Sequence, residues 1–155
     1  MQITLNHVRI NYDVYGRGPA VLFVSDRPHD AQLWSSLAGP LIAASYRVVL
    51  VEVCSSAGKE AACTAIIRLL NSLGIGRAAL CGVERSELMT LLLQDYPQRI
   101  VCTYEAAGSG GVDDLDAHHA EPAQVEAANR QLLETLNDFV PRKLKPAGAQ
   151  LASAA

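Results

Sequence analysis

The chain has 155 residues, enough for one domain with a sizeable core and too few for two comfortable ones. Half of the residues are hydrophobic, 19% are charged and 5% aromatic, a globular composition that excludes disordered and collagen-like chains. Thirteen basic against sixteen acidic side chains leave a net charge of −3, which argues against nucleic acid and anionic membrane surfaces as partners.

Gln2 to Leu5 and the alternating Val8, Ile10, Tyr12 and Val14 predict a hairpin with one wet face. After the turn Gly16-Arg17-Gly18-Pro19, the unbroken apolar run Ala20 to Val24 predicts a strand covered on both faces. Asp30 is placed to cap a helix bearing Leu33, Trp34, Leu37, Leu41 and Ile42, with Gly39-Pro40 as a kink or early stop. Arg47 to Val53 reads as the next buried strand. Lys59 to Leu73 repeats Ala62, Ile66, Leu69, Leu70 and Leu73 on one helical face, and Gly74-Ile75-Gly76 ends that helix.

Ala78 to Cys81 predicts a short strand running into Gly82, followed by a helix from Glu84 to Asp95 that Tyr96-Pro97 stops. Arg99 to Tyr104 is the sixth strand. A glycine-rich and then acidic stretch from Ala107 to Ala120 precedes Pro122 and an amphipathic helix with Val125, Leu132, Leu133, Leu136 and Phe139. The order predicts an α/β fold of three layers: a mostly parallel sheet of about six strands with an antiparallel N-terminal hairpin, and helices on both faces. The domain is expected over 1–140, with 141–155 as a flexible tail.

No apolar run approaches the roughly 18 residues of a membrane span, and the N-terminus carries no secretion signal, so the cytoplasm is the expected location. Cys54, Cys63, Cys81 and Cys102 lack the short paired spacing of a metal or redox motif and are expected as buried thiols. Gly108-Ser109-Gly110-Gly111 lacks the Lys-Ser/Thr ending of a P-loop, which argues against nucleotide binding.

Three stretches carry a resemblance over the first 105 residues or so. Val8 through Phe23, with its Gly16-Arg17-Gly18-Pro19 turn, Leu73 through Gly82, and Tyr96-Pro97-Gln98-Arg99-Ile100 together resemble the α/β-hydrolase superfamily. The resemblance implies that family's fold, here without the lid and last two strands that relatives place before their final helix. It also implies where a catalytic apparatus would sit. In relatives a G-x-S-x-G corner presents a serine nucleophile, and the next backbone N–H forms half of an oxyanion hole. This chain reads Gly82-Val83-Glu84-Arg85-Ser86, with Glu84 at the nucleophile position.

Glu84 is readable as an unorthodox nucleophile or base, or as a carboxylate that a helix N-terminus favours. The His-Gly pair of the other half-hole is replaced by Ser25-Asp26, which brings a Cβ and a negative charge toward the developing oxyanion. The Asp-x-Arg-Gly-x-Gly turn is replaced by Glu52-Val53-Cys54-Ser55-Ser56-Ala57-Gly58. His118 and His119 stand where relatives carry the base, and Asp113, Asp114 and Asp116 where some carry its acid. The same loop also reads as a solvated acidic, helix-capping segment. His118, His119, Asp116 and Glu121 have ligating side chains, but adjacent histidines rarely face one ion, so no metal is expected. No cofactor is expected either. His7 and His29 read as exposed turn residues.

The expectation is therefore a binding or assembly module on a catalytically degenerate α/β-hydrolase-like domain, with a small-molecule ligand as one kind of partner. The alternative is an esterase-like hydrolase or a lyase using Glu84 with His118 or His119 and Asp113 or Asp114. A homo-oligomer is expected through the sixth-strand edge, Arg99 to Tyr104, with Leu132, Leu136 and Phe139 of the last helix.

Overall fold

The structure, a computed structural model, describes residues 1–25, 30–54, 58–83, 86–106, 127 and 130–136, the side chains of 30–33, 83 and 106 excepted. Strands β1 (Gln2–Leu5) and β2 (Val8–Tyr15) form an antiparallel hairpin with Leu5 opposite Val8. Asn6 and His7 turn it with φ of 51° and 66°, the left-handed pair whose twist suits a two-residue hairpin. His7 is exposed as expected.

β3 (Ala20–Ser25), β4 (Arg47–Val53), β5 (Ala78–Val83) and β6 (Ile100–Ala106) complete a six-stranded sheet in the order β1-β2-β4-β3-β5-β6. β2 pairs antiparallel with β4, and the remaining neighbours are parallel. Helices α1 (Asp30–Ala43), α2 (Lys59–Ser72) and α3 (Glu87–Asp95) supply the crossovers, and 130–136 is helical again.

Alternation divides the sheet between two cores. Leu22, Val24, Val49, Val51 and Leu80 face α2 and α3, whose Ile66, Leu69, Leu70, Leu88 and Leu92 are buried against them. Val21, Phe23, Val48, Ala79 and Cys81 face the other layer, formed by Trp34, Leu37 and Leu41 of α1 with Leu132 and Leu136. Burying each such side chain stabilises the fold by about 1.5–3 kcal/mol, which is why the continuous apolar runs become central strands.

Several expectations are corrected. Pro40 neither stops α1 nor marks its end: the helix continues to Ala43, and the Pro40 carbonyl accepts from Ala44 N–H at 3.0 Å. The true stop is Ser45, at φ 66°, with Tyr46 N–H donating to Leu41 O and Ser45 N–H to Ile42 O. That is a Schellman ending, and α2 ends in the same way on Gly74, at φ 70°, with Ile75 N–H on Leu70 O. Ile42 falls off the core face of α1 and is 36% exposed. α3 starts at Glu87 rather than Glu84, because Ser86 is extended and caps it. β6 starts at Ile100, since Pro97–Arg99 form a 3-10 turn in which proline's missing N–H leaves no donor unpaired.

Two further corrections concern chemistry and assembly. Cys63 and Cys81 are buried, but Cys102 is half-buried and Cys54 is exposed just past the end of β4. Leu132 and Leu136, expected at an interface between copies, are 0% and 1% exposed within the chain's own core. A side chain already buried against α1 and the sheet has no surface to offer a partner. Phe139 and the tail 141–155 lie outside the described residues.

Candidate functional site

In a parallel α/β sheet, ligands sit beyond the carboxyl ends of the strands, where the following helices begin. Here that edge is built by Ser25 ending β3, Glu52 and Cys54 at the end of β4, Gly82 in β5 and Glu105 in β6, with the first turns of α1, α2 and α3. The connecting residues 26–29, 55–57, 84–85 and 107–126 lie outside the described residues. Glu84, Asp113, Asp114, Asp116, His118, His119, Glu121 and His29 all fall there, so the structure places none of these candidates beside another. What it does define is the strand ends and helix starts that flank them in sequence.

The corner after β5 is shaped by close packing. A Cβ on Gly82 would stand 2.7 Å from the Met89 sulfur, so glycine lets α3 lie directly against the strand. Ser86 takes the place of the second glycine. Its backbone is extended, and its Oγ accepts from the Met89 N–H at 3.3 Å, the N-cap geometry of α3. Its carbonyl accepts from Thr90 Oγ1 at 3.0 Å. Ser86 is the hydroxyl-bearing residue of the 82–86 stretch, and it serves to start the helix. Lys59 Nζ, at the first residue of α2, reaches Glu87 Oε2, at the first residue of α3, at 2.6 Å and ties the two helix starts together. Both side chains are largely exposed, so the pair is worth no more than about 1 kcal/mol.

At the end of β4, Asn11 Nδ2 donates to Glu52 Oε2 at 3.3 Å and contacts Cys54 Sγ at 3.1 Å. Ser25 is the buried polar side chain of β3, 3% exposed, opposite Glu52 in the register. Below this edge burial disfavours the charged form of three thiols and two phenols. Burial lifts Cys81 well above the usual thiol range, with Cys102 adding to it, and lifts Cys63 to about 11. Burial raises Tyr46, Cys102 and Tyr104 as well. None of these is a ready nucleophile, since the thiolate is the reactive form. Among the described residues, no group of three or more His, Cys, Asp or Glu could hold a metal ion. No described helix is long and apolar enough to cross a membrane.

Sequence reasoning missed Trp34 as anything but a core residue. Its ring lies 5.0 Å from that of Phe23 at 47°, two residues before the end of β3. It is 2% exposed, and its Nε1 has no hydrogen-bond partner among the described residues. The sequence signal available was a tryptophan five positions into a helix that begins at the sheet's carboxyl edge.

Solved structures superpose on a large part of this chain. A point mutant of a candidate epoxide hydrolase from Pseudomonas aeruginosa, with bound MFA, superposes at a TM-score of 0.58 and 22% identity, covering 93% of this chain and 50% of that one. An epoxide hydrolase from Vigna radiata gives 0.57 and 20% identity over 66% of this chain and 36% of that one. The enol-lactonase from Burkholderia xenovorans gives 0.54 and 20% identity over 66% and 45%. The chain therefore has the α/β-hydrolase fold, as the sequence resemblance implied, and spans half or less of the length of these structures. No family model matches it, and no curated protein matches it.

Proposed function

We propose that the chain is a binding or assembly module on an α/β-hydrolase scaffold, without the serine chemistry of that fold. One observation carries this reading: Glu84 stands at the nucleophile position of the 82–86 corner, and the corner's hydroxyl, Ser86, is the N-cap of α3. The substitution of Ser25-Asp26 for the oxyanion-hole glycine pair supports it, because Asp26 adds negative charge where negative charge would develop. The test is turnover of short and medium acyl p-nitrophenyl esters by wild type and Glu84→Ala. The module reading expects both to match buffer. Turnover by wild type that Glu84→Ala abolishes would establish the second reading.

That second reading is an esterase-like hydrolase or a lyase in which Glu84 works with His118 or His119. It draws support from the structural neighbours, which are hydrolases.

The module is proposed to self-associate along β6. Among the described strands this one ends the sheet; it carries half-buried Val101 and Cys102 and exposed Thr103, and contains neither proline nor lysine, the usual guards of an edge. Sedimentation across micromolar concentrations is expected to show a dimer that Thr103→Pro dissociates. A monodisperse monomer removes the proposal. Leu132 and Leu136 have no part in it.

A further inference from the structure

The amino end of the sheet carries an exposed patch that neither core uses. The large hydrophobic side chains exposed among the described residues are Met1, Tyr15 at 46% and Ile42 at 36%, and the last two come together at Gly16. With φ of 73°, Gly16 lies so close to the end of α1 that a Cβ on it would collide with the Tyr46 carbonyl oxygen and stand 3.6 Å from Ile42 Cγ2. Tyr15 is on the α1 side of the sheet. It follows Val14, which packs on the opposite core, and pairs with Val48, which belongs to the α1 core.

Arginines frame this patch. Arg47 begins β4, and Arg17, Arg77 and Arg99 stand just before β3, β5 and β6. Arg47 and Arg99 are occupied by the backbone carbonyls of Leu73, Ile75 and Gly76. Arg17 and Arg77 are exposed and make no ion pair or hydrogen bond among the described residues. Asp13, two residues before Tyr15, is held by the N-terminal amine at 3.0 Å, and Asp95 ends α3 on the other face. Single exposed apolar side chains need no explanation, but tyrosine beside isoleucine with two arginines at hand is the composition of binding hot spots.

We propose that Tyr15, Ile42, Arg17 and Arg77 bind a short acidic segment of a partner polypeptide. An apolar side chain of the segment packs on Tyr15 and Ile42, and the carboxylates that follow it pair with Arg17 and Arg77, whose planar forks suit them. Two arginines match a short run of carboxylates. A nucleic acid needs a longer basic stripe, and the chain's net charge of −3 repels it. The inference rests on the module reading, for which it names the partner, but that reading fails on ester turnover and this one on peptide binding, so the two failures are distinguishable.

The full chain is titrated with an end-blocked peptide in which a phenylalanine–leucine pair precedes glutamates, with its glutamine counterpart and with oligothymidine, and the amide signals of Gly16 and Gly18 are followed by proton–nitrogen correlation. The glutamate peptide is expected to move both signals saturably. Replacing its glutamates by glutamine, Arg17→Glu and Tyr15→Ser are each expected to weaken binding about tenfold. Both variants alter exposed side chains and should keep the wild-type denaturant midpoint, so lost binding reports the surface and not the fold. Signals unmoved by the glutamate peptide overturn the proposal, as does equal affinity of the glutamine peptide or of Arg17→Glu. Oligothymidine bound in preference overturns the polypeptide partner. Signals that move with protein concentration alone assign the patch to a second copy of the chain and overturn it equally.

Discussion

At the amino ends of the parallel strands, polar side chains close on backbone. Arg99 donates to Gly76 O at 2.6 Å, to Ile75 O at 2.9 Å and to Asn71 Oδ1 at 2.8 Å, while Arg47 donates to Leu73 O at 3.1 Å. Both arginines grip the connection from α2 to β5, whose carbonyls have no helical partner. At the carboxyl ends, the described polar groups are buried Ser25, the Asn11 contacts to Glu52 and Cys54, and two helix starts, the Ser86 cap and the exposed pair Lys59–Glu87. One end of the sheet is thus fastened by side chains whose partners are fixed by the fold. The other presents helix N-termini and the positions where this chain departs from hydrolase wording. A fold can persist through its fastened end while the residues at the opposite end vary, because among the described residues the polar contacts of the two ends involve different side chains.

The largest expected effect concerns the layer that joins both ends. Leu136→Ala should cost about 2–5 kcal/mol in chemical denaturation, because Leu136 fills the core against the sheet and α1. A stability near wild type with a change in oligomeric state would restore it to an interface and break the comparison. Arg99→Ala comes next, at about 1–3 kcal/mol, since a charged donor is withdrawn from three acceptors. Ser86→Ala, at the carboxyl end, removes one neutral cap and should cost about 1 kcal/mol. If Ser86→Ala proves costlier than Arg99→Ala by denaturant midpoint, the fastened end has been misidentified.

Much of the fold was legible because strands covered on both faces must be apolar throughout. Ala20 to Val24 and Arg47 to Val53 announced themselves, and the alternation from Val8 to Val14 marked the wet face of β2. Boundaries set by hydrogen bonds rather than burial were less visible. Glu84 looked like the start of a helix because the apolar spacing beyond it is helical, while the cap at Ser86 depends on one backbone dihedral. Leu136 was legible as one edge of an amphipathic stripe, but the stripe does not say whether its cover is the chain's own sheet or another copy. The candidate site was legible only as a set of positions in the hydrolase wording. Trp34 was not, because an orphaned donor is a relation between a side chain and surroundings that only a folded chain possesses.

The smallest expected effect tests the fastened end at its least obvious point. α1 and α2 finish with the same pair of backbone hydrogen bonds, one around Ser45 and the other around Gly74, both in left-handed conformation. Glycine enters that region freely, whereas a residue with a Cβ pays a steric cost of about 1 kcal/mol. Gly39-Pro40 looked like the end of α1 because both residues disfavour helix interiors, yet the helix runs to Ala43, three residues beyond Pro40, and is closed by the Tyr46 N–H on the Leu41 carbonyl. Ser45→Gly is therefore expected to raise stability by about 0.5–1 kcal/mol, offset in part by the freedom glycine adds to the unfolded chain. Gly74→Ser should lower it by a similar amount. Opposite signs in denaturant midpoint would show that two unlike sequences make one kind of helix end, and equal signs would show that Ser45 contributes contacts that its backbone geometry does not reveal.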